Sequence, residues 1–133
     1  MNPVVHFEMP YDDRERVMRF YRDVFGWELR ALGEDMGNYV VATTAKPGFR
    51  VRHDAPSGAI GGGFFPRHPD CPAQYPSVVI AVDDIRAWMK KVAAAGGEVL
   101  GEPMTIPGIG EYVSFFDTEK NRASMLQPLP MAQ

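Results

Sequence analysis

The chain predicts an α+β fold built from two copies of one βαβββ unit, and two observations predict it. A segment recurs at fixed spacing: His6-Phe7-Glu8-Met9 before Asp12-Asp13 returns 71 residues later as Ser77-Val78-Val79-Ile80 before Asp83-Asp84, and Gly26 returns as Gly97 at the same interval. In each copy an alternating run gives way to a helical run, a glycine closes it, and three short strand-like runs follow. With 133 residues there is material for one packed core, so the copies read as halves of a single domain rather than two domains. Paired copies imply a shared groove, and its lining decides function.

The elements follow in order. Val4 to Met9 alternates as a strand, with Val5, Phe7 and Met9 on one face and Val4, His6 and Glu8 on the other. Asp12, with Glu15 three residues on, makes a capping-box pattern for a helix whose stripe is Val17, Phe20, Tyr21 and Val24, ending at Gly26. Trp27 to Leu32, Tyr39 to Thr43 and Ala59 to Phe65 read as strands, with Gly33 and Gly37-Asn38 in a turn. In the second copy Val78, Ile80 and Val82 give a strand its apolar face. Asp83 or Asp84 caps a helix with the stripe Ile85, Trp88, Met89 and Val92, and Gly96-Gly97 ends it. Glu98 to Leu100, Glu111 to Phe116 and Arg122 to Gln127 complete the unit. Module one is therefore 1–65, a proline-rich connector covers 66–76, and module two is 77–128.

Composition removes several function classes. A net charge of −3 without a basic run argues against nucleic acid or an anionic membrane as the main partner. No apolar run approaches the roughly 18 residues of a membrane span, and Met1-Asn2-Pro3 leads directly into a strand without a signal-like segment, so the expected location is the cytoplasm. Cys71 stands alone, which excludes an internal disulfide and a cysteine zinc cluster; with His68 nearby but Pro69 and Pro72 around it, it reads as a linker thiol rather than a nucleophile. Gly61-Gly62-Gly63 lacks the lysine and hydroxyl residue of a phosphate loop and marks either a bend or a close approach to the backbone. Arg50, Arg52 and His53 read as a solvated polar connector with an anion contact as the alternative, and Trp27 and Trp88 as core or interface anchors. Ile106 to Gly110 is an apolar loop before a strand, either a flap over the groove or a plain hairpin connection.

The segments His6-Phe7-Glu8-Met9-Pro10, Phe20 to Trp27, Val82-Asp83-Asp84-Ile85, and Phe115-Phe116-Asp117 through Gln127-Pro128 together resemble the vicinal oxygen chelate superfamily of glyoxalases, bleomycin-resistance proteins and extradiol dioxygenases. The resemblance spans nearly the whole chain. It implies a glyoxalase-like fold, two paired βαβββ modules in a curved mixed sheet with a concave ligand cleft. It also implies a divalent metal held by His and Glu side chains, one from each of four strands. His6 matches the first ligand position, but the others fall at Ser77, near Gly61, and at Ser124. One imidazole with two neutral hydroxyls is a poor site for zinc or nickel. Glu8 could add a carboxylate from the same strand face, with Glu111 and Tyr112 as further candidates nearby.

The turn before the last strand departs from the family pattern, with Thr118 and Lys120 where proline and glycine are usual. Lysine is disfavoured at positive φ, so the turn is expected to change shape and to shift the register of the strand that carries Ser124. A slip of one residue would turn Ala123 or Met125 inward instead.

The favoured reading is a small-molecule-binding protein with a degenerate metal site and no resident cofactor. Its acid–base candidates are His6 and Glu8, and its ligand-wall candidates are Ser77, Phe64, Tyr39, Tyr112 and Ser124. The alternative is a lyase, isomerase or dioxygenase that recruits a weak divalent metal through His6 and Glu8. A third class is a structural module that uses its sheet as a dimer surface. The expected partners are an unidentified small molecule and a second copy of the chain, since exposed sheet edges and bulky helix residues such as Tyr21 and Trp88 invite pairing.

Overall fold

A computed structural model describes residues 1–50, 58–71 and 73–130. Arg52, His53 and Pro72 lie outside these. The chain forms two compact units, His6–Pro76 and Met1–Val5 with Ser77–Gln133. The strand β1 (Val4–Tyr11) is followed by helix α1 (Arg14–Phe25), β2 (Glu28–Ala31), a short 3₁₀ turn (Glu34–Met36), β3 (Val40–Thr43) and β4 (Gly61–Pro66). The second copy runs β5 (Ser77–Ala81), α2 (Ile85–Ala94), β6 (Glu98–Ile106), β7 (Gly110–Phe116) and β8 (Arg122–Pro128). Strand order inside the first copy is β2-β3-β4-β1 and inside the second β6-β7-β8-β5. In both, the first strand lies parallel beside the fourth and the other pairings are antiparallel. The repeat is thus a repeat of topology as well as of sequence.

In the His6–Pro76 unit, Phe7, Met9 and Tyr11 of β1, Val17, Met18 and Tyr21 of α1, and Trp27 and Leu29 surround the buried Val40, Ala42 and Phe64. Tyr21 stacks on Trp27 with centroids 4.6 Å apart and lies 5.2 Å from Phe64, so α1 is fastened to its strands by aromatic pairs of about 0.5–1.5 kcal/mol each. The helical stripe is narrower than the sequence implied, because Met18 takes part in the core while Phe20 and Val24 are more than half exposed. Tyr21 of the stripe, also named as a bulky residue that invites pairing, packs against the core. The cap also differs by one residue. Asp13, not Asp12, accepts a hydrogen bond from the Arg16 amide, which releases Asp12 to pair with Arg67 at 3.0 Å. Gly26 closes α1 in the left-handed conformation, φ 72°, its amide donating to the Arg22 carbonyl.

In the other unit Val82, Ile85, Val113, Phe115 and Met125 form the core, with Ile80, Trp88, Met89, Val92, Val99 and Ala123 against it. The expected stripe of α2 is the observed one. Val78 is a correction: it is 40% exposed at the start of β5, and the apolar face begins at Ile80, while Val79 on the other face is only 2% exposed. Asp84 caps α2 through the Ala87 amide, whereas Asp83 accepts from the Trp88 indole. Gly97 donates to Val92 and Gly96 to Ala93, the paired bonds of a glycine-closed helix end. β6 runs on to Ile106, well past Leu100. Ile106 pairs with Gly110, so the apolar loop is a plain hairpin connection.

The turn at 117–121 overturns the expected register shift. Lys120 does adopt positive φ, 64°, and the Asp117 carboxylate holds the turn by accepting from the amides of Glu119 and Asn121 and from the Asn121 side chain. Side-chain hydrogen bonds supply what glycine's freedom usually supplies. Ser114 therefore pairs with Ser124 and Val113 with Met125, leaving Ser124 on the face away from α2 and Met125 in the core. Lys120→Gly is expected to leave the fold intact and raise unfolding free energy by up to about 1 kcal/mol, and Asp117→Ala to lower it by about 1–2 kcal/mol, measured by urea denaturation.

Candidate functional site

On β1 the side chains of His6 and Glu8 point away from the core-facing Phe7 and Met9. Parallel pairing sets His6 beside Gly61 and Glu8 beside Gly63. Glu8 is 8% exposed. The His6 ring lies half-buried and its Nε2 makes a 2.8 Å hydrogen bond with the Tyr39 hydroxyl. Burial pushes the imidazole below its ordinary value of 6.5, and the neighbouring Glu8 charge opposes this only in part. Burial thus favours the uncharged imidazole.

The glycine run explains how Tyr39 arrives there. A Cβ built on Gly63 would stand 2.0 Å from the Tyr39 hydroxyl oxygen, and one on Gly62 would stand 2.3 Å from the Phe7 ring. Both are impossible distances, so the missing side chains are filled by two aromatic rings on opposite faces of β4. The close approach to the backbone is made by the chain itself.

Strand register also places the fourth-strand position. Val79 lies beside Ser124 as Glu8 lies beside Gly63, so the counterpart of Ser124 is Gly63 and not Gly61. Along the third strands, Val41 pairs with Gly63 as Ser114 pairs with Ser124, which makes Tyr39 and Tyr112 counterparts. Each tyrosine reaches toward its own fourth strand. Tyr112 makes a 2.7 Å hydrogen bond to the Ser124 hydroxyl, which meets the Ser114 hydroxyl at 2.9 Å, and Arg122 donates to Ser114 at 3.5 Å. Ser114 was not singled out in the sequence. The signal was Tyr39-Val40-Val41 repeated as Tyr112-Val113-Ser114, at an interval two residues longer than that of the first strands.

Of the expected residues, His6 and Tyr39 meet, and Tyr112 and Ser124 meet. Ser77 is half-buried on the same face of its unit as Ser124. Phe64 is a correction: it is 1% exposed among Val40, Ala42 and Tyr21, on the helix side of β4, and so is core rather than ligand wall. Beside His6 lies an open hollow of about 400 Å³, whose walls include Ala42, Thr43, Lys46, Ile60 and Gly61. Thr43 and Lys46 were missed because nothing local marks a strand end as a wall.

These residues do not fit a divalent metal. Zinc and its neighbours need about three converging His, Cys or carboxylate ligands, and no such group of three exists among the described residues. The first module's fourth-strand position has no side chain, its space is taken by Tyr39, and the imidazole nitrogen facing it is engaged. The second module offers hydroxyls.

A sequence profile described as the Glyoxalase/Bleomycin resistance protein/Dioxygenase superfamily matches residues 4–125. The CFP32 protein of Mycobacterium tuberculosis, provisionally named a glyoxylase, is 39% identical over 71 residues, which span 53% of this chain and 27% of that protein. A glyoxylase-like domain-containing protein of Didymella fabae is 28% identical over 117 residues, covering 86% of this chain and 84% of its own. Among solved structures, a Streptomyces coelicolor methylmalonyl-CoA epimerase variant in complex with 2-nitronate-propionyl-CoA superposes with a TM-score of 0.71 at 14% identity, over 100% of this chain and 99% of that one. The hypothetical protein BH1468 of Bacillus halodurans gives 0.68 at 13% identity, over 99% and 98%. At such identities the likeness shows the glyoxalase-like fold.

Two outcomes follow from this geometry. His6 should titrate below 6.5 in an NMR titration; a midpoint at or above that value contradicts its burial. Since the folded state resists protonation of His6, its contribution to stability is present above the unfolded value and is lost as pH falls through the folded one. Ser124→Ala, which strips a partner from both Tyr112 and Ser114, should cost about 1–3 kcal/mol in denaturant unfolding.

Proposed function

Since the chain belongs to the Glyoxalase/Bleomycin resistance protein/Dioxygenase superfamily, we propose that it binds a small molecule without a resident metal, in the hollow beside His6. The observation that carries this reading is the His6–Tyr39 hydrogen bond at the hollow's wall. It holds an imidazole in place beside an open hollow lined by polar and apolar groups in similar measure, where a small molecule can be oriented by a few placed polar groups. Thr43 supplies a hydroxyl and Lys46 the one cation among the described lining residues. Within the second module, Ser77, Tyr112 and Ser124 are proposed as ligand contacts of that module's own polar face. Glu8 stands beside His6 on the strand and tunes it electrostatically. The metal-dependent lyase, isomerase or dioxygenase alternative draws on His6 and Glu8 with Glu111 as a further candidate, and no group of three such ligands exists among the described residues. A cytoplasmic setting suits the mildly acidic composition and the lone Cys71.

The protein is further proposed to be a homodimer. Phe20, Val24 and Phe25 on α1 are 53%, 57% and 61% exposed, a larger apolar display than Tyr21 or Trp88 provides. Light scattering at micromolar concentration should give about twice the 14.8 kDa chain mass, and a monomer would remove this part. For the site, a fragment screen by ligand-observed NMR should return binders whose affinity falls at least about tenfold, 1.4 kcal/mol, in His6→Ala. Binders indifferent to His6 would refute the hollow as the site.

A further inference from the structure

We infer that Tyr39 is a positioning residue that fixes His6 in its Nδ1–H tautomer, so that His6 meets its ligand as a hydrogen-bond donor to a carbonyl or carboxylate oxygen. The first part stands on geometry alone; the ligand class rests on the small-molecule reading of the hollow.

The hydrogen bond between His6 Nε2 and the Tyr39 oxygen can run either way. The acid–base strengths of the two partners favour one direction. The sp² nitrogen of a neutral imidazole is the strongest base of the pair, with an ordinary conjugate-acid pKa near 6.5, and a phenol, ordinary pKa about 10, is a far better donor than an imidazole N–H. Tyr39 therefore donates and Nε2 accepts, which puts the ring proton on Nδ1. Among the described residues Nδ1 has no hydrogen-bond partner, and His6 lines the hollow. An N–H donor there, with Lys46 the one charged group among the described lining residues, suits a ligand that presents an acceptor oxygen.

Gly63 is the enabling residue. Only its missing side chain lets the phenol lie where it does, because any Cβ would stand 2.0 Å from the Tyr39 oxygen. The backbone of Gly63 is not among those with positive φ, so alanine there is free of backbone strain, and the three atoms nearest to its Cβ all belong to Tyr39.

The test is the ring ¹⁵N spectrum of His6 at mildly alkaline pH, assigned by comparison with His6→Gln, in the native protein, Tyr39→Phe and Gly63→Ala. The native protein should show one tautomer with the proton on Nδ1. Both variants should show the two ring signals drawn toward their mean, as tautomers mix. A native Nε2–H tautomer, or ring signals unchanged in Tyr39→Phe, overturns the inference. If Gly63→Ala unfolds, its stability loss should be recovered in Gly63→Ala/Tyr39→Ala; an equal loss in both backgrounds likewise overturns it. For the ligand class, small carboxylates and aldehydes titrated into the native protein should shift the Nδ1 signal, and amines of matched size should not. Amines shifting it equally overturns the acceptor-oxygen assignment. An Nδ1–H tautomer that no probe perturbs would count against the small-molecule reading of the hollow while leaving the role of Tyr39 standing.

Discussion

The first module depends on what is missing from β4. Gly62 and Gly63 carry no side chains, and two rings use the space, Phe7 on the core face and Tyr39 on the other. Phe7 can then sit 5.6 Å from Trp27 and 6.5 Å from Phe64, tying β1 into the same core that anchors α1. Tyr39 on the opposite face reaches His6. One run of glycines thus serves stability on one side and chemistry on the other, and adding a methyl group at either position forces a ring to move.

The two modules have kept their packing and changed their chemistry. Core positions correspond closely in kind: Val40 and Val113 are 0% and 2% exposed, and Phe64 and Met125 are 1% and 3%. The face away from the helices has diverged, with His6 against Ser77, Gly63 against Ser124 and Val41 against Ser114, while Tyr39 and Tyr112 are retained. In one module the tyrosine hydroxyl meets an imidazole, in the other a serine within a chain of hydroxyls. Neither arrangement gathers the charged or imidazole donors that a divalent ion requires. Both hold polar groups in fixed geometry, which is what recognition of an uncharged or singly charged small molecule needs.

Much of the fold was legible in the sequence because alternation, helical stripes and closing glycines are local. The capped helix over Ile85 to Ala94 and the left-handed Gly26 are such cases. What was not legible depended on register or on long-range hydrogen bonds. Phe64 looked like a cleft wall because strand parity cannot be anchored inside Gly61-Gly62-Gly63-Phe64-Phe65, where three positions carry no side chain. Lys120 looked like a source of register shift because the compensation sits on Asp117, whose carboxylate gathers the turn's amide protons. The pairing of Tyr39 with Tyr112 was hidden by the longer interval between the third strands than between the first.

We propose that the residues standing at the superfamily's ligand positions form no metal site. Calorimetric titration of chelator-treated protein with zinc and with nickel tests it directly. The donor set predicts no stoichiometric binding beyond the weak, nonspecific uptake shared by His6→Ala. One equivalent bound tightly, and lost in His6→Ala, would contradict the account and restore the metal-dependent alternative.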